Sequence, residues 1–235
     1  MRIPDARLPD ARLPMYYIHQ IAEQISSLGG DRQGWLARNG LQESQLTDSE
    51  SSLPFTKFHQ LILDGMAITQ EPALGLLIGE RLLLNTHGIL GYAAMNSSTL
   101  RQAVDVFERY IQLRTPMVKT QHEIHQRQFR VVFCESFSLG EIRRPVLEAI
   151  ILTVKNVVDF ITMGERHVQS VSFAFSAPDY RELASEMFNC EVKYQQKWNG
   201  FTLPLDVVDM PLKMNDPNTF REAALICQRE FEKII

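Results

Sequence analysis

The segment His122-Glu123-Ile124-His125 is the part of the chain that most resembles a metal-binding motif. Zinc proteases use H-E-x-x-H, in which two histidines four residues apart share one face of a helix. Here the two histidines are three residues apart in a predicted strand or turn, where odd spacings point to opposite faces. We therefore predict solvent-facing hairpin histidines, with no metal and no other cofactor.

The glycines between Gly75 and Gly91 also form no known catalytic motif. Together with Gly79 and Gly88 they match neither G-x-G-x-x-G nor the phosphate-binding G-x-x-x-x-G-K-[ST]. Gly75 and Gly79 are one helical turn apart, which predicts a close helix contact, while Gly88 and Gly91 suit a turn or a close backbone approach. No serine lies in G-x-S-x-G and no carboxylate pair is spaced for acid–base chemistry, so nothing in the sequence supports an enzyme.

Polar residues within apolar stretches are better candidates for a site, because ligand pockets are mostly apolar with a few placed polar groups. His87 and Tyr92 border the glycine turns, and Arg114 ends a predicted helix. We predict a pocket between the sheet and the helix over 146–161, outlined by His87, Tyr92, Arg114, Arg130, Glu135, Arg143 and Arg144. For each of these residues, a surface ion pair or a satisfied buried hydrogen bond is the simpler alternative.

The composition and charge exclude several kinds of partner. Of the 235 residues, 45% are hydrophobic and 22% are charged, which is typical of a globular protein. The net charge is −4 and the basic residues are scattered, whereas a nucleic-acid-binding surface normally shows a basic patch. The most apolar stretch, 146–161, is interrupted by charges and is too short for a membrane span. We expect neither direct DNA binding nor membrane association.

The three cysteines, Cys134, Cys190 and Cys227, are odd in number and far apart in the sequence. This spacing argues against a disulfide framework and favours a reducing compartment. Each lies in an apolar context, which predicts a small core residue rather than a redox-sensing thiol. Because no basic stretch followed by an apolar run begins the chain, we expect no signal peptide and a cytoplasmic location.

The first half of the chain is rich in helical patterns. Prolines in the repeat PDARL-PDARL-P forbid a helix and predict an extended arm over residues 1–14. A polar linker is predicted over 42–52. Thr99 and Gln102 form a capping-box pattern ahead of an apolar stripe from Leu100 to Ile111, which is the clearest helix. The other predicted helices are Met15–Leu28, Gly34–Arg38, Phe55–Thr69 and Ala73–Leu83.

The second half mixes strands and helices. Its predicted strands are Met117–Glu123 and Gln128–Glu135, turning near 125–127, then His167–Phe175, and Glu191–Trp198 with Gly200–Leu203, turning at Asn199-Gly200. Its predicted helices are Pro145–Met163, apolar nearly all round and hence in the core, Tyr180–Phe188 and Asn218–Ile235. The pattern predicts an α+β fold, a helix-rich N-terminal part followed by a mixed, mainly antiparallel sheet packed with helices.

Three segments, taken in order, resemble the arabinose-binding-like N-terminal domain of AraC-type transcription regulators. They are EPALGLLIGERL with HGILGYAAMNSSTLRQAVDVFERYIQLRTP, the hairpin QFRVVFCES with the long helix after it, and VSFAFSAPDYRELASEMFNCEVKYQQKWNGFTLPLDVVDMPLKMNDP. The resemblance covers about residues 28–235. Its specificity comes from the ordered combination, since no single motif is diagnostic.

The resemblance implies an effector-sensing domain over residues 15–217 that controls DNA binding by two helix-turn-helix units. We expect those units to be absent from this chain, and the helix over 218–235 to lead towards them. The resemblance implies a small-molecule effector, not a sugar in particular, and a homodimer. The apolar stripe of the last helix predicts either dimerisation or packing on its own domain, through Phe220, Ala224, Cys227 and Phe231.

Two other classes of function stay open. One is a stand-alone small-molecule-binding protein, which a longer chain with paired helix-turn-helix patterns would exclude. The other is an enzyme of unrecognised type, which turnover of a bound metabolite would identify.

Overall fold

The computed structural model of the protein describes residues 11–48 and 51–234. Within these ranges the helices are Met15–Ser27 (α1), Arg32–Arg38 (α2), Phe55–Thr69 (α3), Leu74–Arg81 (α4), Gly88–Met95 (α5), Leu100–Tyr110 (α6), Arg143–Ile161 (α7), Arg181–Phe188 (α8) and Pro217–Glu232 (α9). The strands are Arg12–Pro14 (β1), Ser52–Pro54 (β2), Val118–His125 (β3), Gln128–Glu135 (β4), Ser170–Ser172 (β5), Glu191–Lys193 (β6) and Gly200–Pro204 (β7). This architecture confirms the predicted α+β class.

The main sheet has five strands in the order β3-β4-β7-β5-β6. Neighbouring strands are antiparallel except β5 and β6, which are parallel. β3 and β4 pair from Val118 opposite Glu135 to His125 opposite Gln128. Gln126 has a φ of 57° in the turn between them, so the predicted first hairpin is confirmed.

The second predicted hairpin, turning at Asn199-Gly200, is wrong. β6 pairs with β5, while β7 lies between β4 and β5, so β6 and β7 are not neighbours. Gly200 is inside β7, where a Cβ atom would lie 1.9 Å from the carbonyl oxygen of Val131 in β4. The glycine therefore permits a close approach of two strands rather than a turn. Asn199 likewise joins strands, since its backbone oxygen accepts a 2.8 Å hydrogen bond from Phe133 N.

Two predicted strands, His167–Phe175 and Glu191–Trp198, are each reduced to three residues, β5 and β6. Beyond the paired residues the two segments share three backbone hydrogen bonds: Phe173 N donates to Lys193 O at 2.8 Å, Gln195 N to Phe175 O at 2.9 Å and Gln196 N to Phe173 O at 2.9 Å. Gln195 has a left-handed φ of 57°, which ends the extended conformation of its segment.

The helix α6 begins at a side-chain cap. Thr99 Oγ1 accepts a 3.1 Å hydrogen bond from Gln102 N, as the pattern predicted. The Gln102 side chain accepts from Ser98 N at 2.6 Å rather than from Thr99 N. The first interaction gives a partner to a backbone N–H of the first helical turn, and the second gives one to a backbone N–H just before the helix.

α4 packs directly on α7 through two glycines. A Cβ atom at Gly75 would lie 2.3 Å from Pro145 O, and one at Gly79 would lie 2.7 Å from Ala149 O. Only a residue without a side chain fits at these distances. The close helix contact predicted from the glycine spacing is confirmed, and α7 is buried along most of its length, as predicted.

The N-terminal arm is only partly within the described residues, because 1–10 lie outside them. Arg12–Pro14 is extended, as predicted, and forms β1, which pairs antiparallel with β2. Leu13 and Leu53 are directly opposite and both are buried. The predicted linker 42–52 contains a 3₁₀ turn at Glu43–Gln45 and the start of β2.

The helix α9 packs back on the domain, against α5 and α6. Cys227 is fully buried, and the ring of Phe231 meets that of Tyr110 edge-on at 5.8 Å between centroids. Leu225 and Ile226 instead face outwards and are 48% and 42% exposed. Of the two predicted roles of the stripe, packing on its own domain therefore holds for Cys227 and Phe231. Dimerisation through α9 stays a prediction.

All three cysteines are free. Cys227 is buried and Cys190 half-buried, as expected for small core residues. Cys134 is exposed, so the prediction of a core position is wrong there. It alternates along β4 with the buried residues Phe133 and Val131 and therefore lies on the outer face of the sheet.

Across residues 11–48 and 51–234, no single helix is long and apolar enough to cross a membrane. Only α3 and α4 taken together reach the required length and composition, and they are bent by 108° relative to each other.

Candidate ligand-binding cavity

A cavity of about 90 Å³ lies within the helical part of the fold. Residues of α1, α3, α4, α6 and α7 form most of its wall, with Leu13 of β1 and Leu90 of α5. The lining is apolar except for Tyr17, His87, Arg114, Thr115 and Thr153. No Asp or Glu is among the described residues that line it.

The lining of the cavity extends along α7. On α7 its lining includes three successive pairs, Pro145-Val146, Ala149-Ile150 and Thr153-Val154. At about 1.5 Å of rise per residue, this stretch of helix is roughly 13 Å long. A volume of about 90 Å³ spread along that length leaves a narrow cross-section. The shape therefore fits a slender molecule rather than a broad one.

His87 reaches the cavity from a 3₁₀ turn, Leu84–His87. Gly88, immediately after the turn, has φ 54° and ψ −135°, a backbone conformation open mainly to glycine. At Gly91 a Cβ atom would lie 2.3 Å from Leu84 O. The predicted turn and close approach are confirmed, and together they position His87.

The His87 side chain is buried, 6% exposed, and its Nε2 has no hydrogen-bond partner among the described residues. Burial, and after it the positive charge of Arg114, lowers the pKa of His87 from 6.5 to about 4. The imidazole is therefore neutral near pH 7, with one nitrogen able to donate and the other to accept. Leaving a buried polar atom unpaired is costly, so a ligand that pairs with it gains affinity.

Arg114 is the second polar group at this end of the cavity. Its Nε donates to the Tyr17 hydroxyl at 3.3 Å, and its Nη2 donates to Thr86 O at 2.9 Å. The guanidinium also lies 5.5 Å from the centroid of the Tyr17 ring. Both hydrogen-bond partners are neutral, so this half-buried cation has no counter-ion among the described residues. Its Nη1 remains available to a ligand.

The sequence indicated His87 and Arg114 but missed Tyr17. Tyr17 belongs to α1 and precedes Arg114 by 97 positions. Burial raises the pKa of its phenol, while the nearby Arg114 opposes that shift, so the hydroxyl is neutral near pH 7. Its place beside the apolar stripe of α1 is visible in the sequence, but the pattern contains nothing about which distant residue it meets.

Tyr92 and Arg130 do not reach the cavity. Tyr92 is 48% exposed on α5. Arg130 Nη1 lies 3.2 Å from Glu123 Oε1, across the β3–β4 pair, and its guanidinium lies 5.1 Å from the Trp198 ring centroid. For Arg130 the structure thus shows an ion pair with Glu123, the alternative to ligand binding that the sequence left open.

The remaining three predicted site residues lie near the start of α7, outside the cavity. Arg143 Nε is 2.6 Å from Glu135 Oε1. The Arg144 guanidinium lies 5.2 Å from the Phe175 ring centroid and donates to Ser176 O at 3.3 Å. A role in ligand binding for these residues stays a prediction, and the structure brings only His87 and Arg114 of the set together.

The cavity is not between the sheet and α7, as predicted, because other groups fill the face of α7 that carries Glu148. Glu148 has no exposed surface and accepts hydrogen bonds from the Tyr180 hydroxyl at 2.9 and 3.1 Å. Burial raises its pKa to about 8, against the opposing effects of Tyr180 and of the Arg144 charge. Glu148, one of the charged residues that interrupt the apolar surface of α7, is therefore itself buried.

His122, the first histidine of the metal-like segment, lies beside two carboxylates of α6. Its Nδ1 is 2.8 Å from Glu108 Oε2 and 3.6 Å from Asp105 Oδ1. These three ligand atoms lie within 4.8 Å of one another, a geometry that an exposed ion pair also explains. His125 is exposed at the end of β3, consistent with a hairpin histidine.

A mostly apolar cavity with a few polar groups in its wall is suited to binding a small molecule. The family model described as the arabinose-binding domain of AraC transcription regulators, N-terminal, matches residues 29–212. The chain belongs to this family, and it is a ligand-sensing regulatory domain.

Two relatives are regulators from Pseudomonas aeruginosa. The Ornithine utilization regulator is 24% identical over 222 residues, which cover 94% of this chain and 64% of that protein. The crystal structure of the transcriptional regulator CdpR matches with a TM-score of 0.63 at 16% identity, over 92% of this chain and 65% of CdpR. The chain thus spans just under two thirds of either relative's length, and the likeness to CdpR shows a shared fold.

Proposed function

We propose that this domain senses a small-molecule effector in the cavity and thereby controls transcription. The observation that carries the proposal is the Nε2 of His87, which has no partner among the described residues and lies in a mostly apolar cavity that Arg114 also lines. Such a site lowers its free energy when a ligand supplies the missing partner. The proposed sensing domain is 15–217, and the segment 218–235, which contains all of α9 except its first residue Pro217, is proposed to transmit the signal.

The packing of the helices suggests how binding is transmitted. His87 immediately precedes α5, and α5 packs against α9. A ligand that contacts His87 therefore acts on the first residues of the helix that supports α9. Regulation requires that the ligand binds one arrangement of these helices better than another, with couplings of typically ~1–3 kcal/mol.

The full regulator is proposed to bind DNA through helix-turn-helix units outside this chain, since the relatives are longer transcription regulators. We further propose that it works in the cytoplasm, as its free cysteines suggest, and that it forms a homodimer. The exposed Leu225 and Ile226 of α9 are the proposed contacts. We do not propose an enzymatic activity, because the matching family and the two relatives are transcription regulators.

The test is a thermal-shift panel with the 235-residue chain. The panel contains carboxylic acids, alcohols, amines and amino acids, with L-arabinose and L-ornithine included because the family description and one relative's name mention them. A ligand at 100 times its dissociation constant stabilises a fold by ~2.7 kcal/mol, which raises the Tm by several degrees.

The decisive comparison is between a variant whose cavity is filled by a larger side chain and a variant changed outside the cavity. Ile150→Trp places a large side chain in the wall at a half-buried position, whereas Phe160→Trp changes an exposed residue of the same helix. We expect the stabilising compound to lose its effect with Ile150→Trp and to keep it with Phe160→Trp. Equal shifts in both variants, or no shift with any compound, would contradict the proposal.

A further inference from the structure

We propose that the cavity takes a slender aliphatic monocarboxylate, with its carboxylate against Arg114 and His87 and its hydrocarbon chain along α7. This inference rests on the proposed function, because it names the chemical class of molecule that the same cavity would hold. It is carried by the charge of the lining, by its free hydrogen-bond donors and by the shape of the cavity.

The charge of the lining favours an anion. Arg114 is a half-buried cation whose hydrogen-bond partners, the Tyr17 hydroxyl and Thr86 O, are both neutral. None of the described lining residues is acidic. A carboxylate would supply the missing counter-ion, and charge-assisted hydrogen bonds to Arg are among the strongest in proteins. A cationic amine would instead be buried beside a like charge with no partner.

The free polar groups of the lining are donors, which suits a carboxylate better than a polyhydroxylated ligand. Thr115 and Thr153 already form hydrogen bonds with backbone groups at 3.3 and 3.1 Å. The Tyr17 and Thr115 hydroxyl oxygens only accept in their hydrogen bonds, so their O–H groups are free to donate. Nη1 of Arg114 is also a donor, as is Nε2 of His87 in its Nε2–H tautomer, and a carboxylate has two oxygens that accept. The hydroxyl hydrogens of a sugar would find few acceptors among these groups.

The rest of the ligand must be thin and apolar. Beyond the polar end, the walls are formed by aliphatic side chains and by Phe58 and Phe107. The cavity follows about three turns of α7 with little width, as described above. An extended alkyl chain fits such a space, whereas a fused ring system would require the helices to separate.

The test compares three eight-carbon compounds that differ only in their head group: octanoate, 1-octanol and octylamine. Binding to the 235-residue chain is measured by calorimetry at pH 7 and by the shift in Tm. We expect octanoate to bind about tenfold or more tightly than 1-octanol, as expected for charge-assisted hydrogen bonds. Octylamine should be the weakest of the three.

Variants assign the head-group contact. Arg114→Met removes the charge and keeps the length of the side chain, so the preference for octanoate over 1-octanol should disappear. Retained binding of 1-octanol by this variant shows that the cavity is still folded. The control is Arg109→Met on α6, which changes an exposed arginine outside the cavity and should keep the full preference.

The outcomes separate this inference from the proposed function. If octylamine or 1-octanol binds as well as octanoate, and Ile150→Trp abolishes that binding, the cavity is the site but the carboxylate assignment is wrong. If none of the three compounds binds while another member of the panel does so through the cavity, the assignment is again wrong. If octanoate binds Ile150→Trp and the wild type equally, both the assignment and the proposed site are wrong.

Discussion

Glu148 is a carboxyl group in the N-terminal half of α7 with no exposed surface, and the hydroxyl of Tyr180 is its hydrogen-bond donor. Its pKa is about 8 in the folded protein, against an ordinary value of 4.5. Below pH 4.5 the group is protonated in both the folded and the unfolded state, so its ionisation does not lower the stability of the fold. As the pH rises towards 8 the unfolded state loses the proton first, and folding becomes less favourable.

Glu148→Gln should remove this dependence on pH. We expect the free energy of unfolding of the wild type to fall, relative to the variant, by up to about 1.4 kcal/mol per pH unit between pH 4.5 and 8. Urea denaturation at a series of pH values measures the difference. Glu141→Gln, at an exposed position, is the matched control. Parallel curves for the wild type and Glu148→Gln would show that Glu148 is ionised in the folded state.

The cavity residues show what a sequence can indicate at this scale. His87 and Arg114 could be found because each is a polar residue within an apolar or glycine-rich stretch. Tyr17 could not, because its partner lies 97 positions away and only the packed helices bring the two together. Arg130 and Arg143 have the same local character as Arg114, but each has an acidic partner, which a single sequence does not reveal.

Among the elements, the contact between α4 and α7 leaves no room for a side chain at either glycine. Gly79→Ala would place a methyl group 2.7 Å from a backbone oxygen of α7, which cannot move without the whole helix. We expect a loss of about 1–3 kcal/mol in the free energy of unfolding, as for overpacked cores. Alanine is intrinsically a better helix former than glycine, which would oppose this loss. Chemical denaturation of the wild type and the variant measures the difference in the free energy of unfolding.

Gly65→Ala in α3 is the control for this prediction. There the added Cβ would lie 3.2 Å from Ile25 Cδ1 and 3.4 Å from Leu74 Cδ2, the ends of flexible side chains that can shift. We expect little change in stability, or a small gain. A Gly79→Ala variant as stable as Gly65→Ala would mean that α4 and α7 are not held in close contact.

The elements that could be predicted are those whose signals are local. The stripe of α6, its Thr99 cap and the β3–β4 hairpin depend on residues within a few positions of one another. The prediction that β6 pairs with β7 was wrong, because Asn199-Gly200 has the local pattern of a turn. The glycine is required instead by the close approach of the Val131 carbonyl oxygen in β4. Likewise, helical periodicity predicted α7 in the core but did not indicate which of its faces borders a cavity.

At the scale of the whole molecule, the exposed apolar residues Leu225 and Ile226 of α9 are the basis for predicting a dimer. Sedimentation velocity at tens of micromolar protein should show a dimer for the wild type and a monomer for Leu225→Glu, because a charge in an apolar contact is costly to bury. Phe160→Glu, at another exposed apolar residue, should leave the dimer intact. A monomeric wild type at this concentration would contradict the proposed dimer.

The small ribbon formed by β1 and β2 has a consequence for the speed of the response. Leu13 of β1 is part of the cavity wall, and β1 pairs with β2 over only three residues. Two-stranded ribbons of this size are only marginally stable by themselves, and such segments open locally far more often than the fold unfolds. We therefore expect exchange of the ligand with solvent to depend on the opening rate of this ribbon rather than on global unfolding.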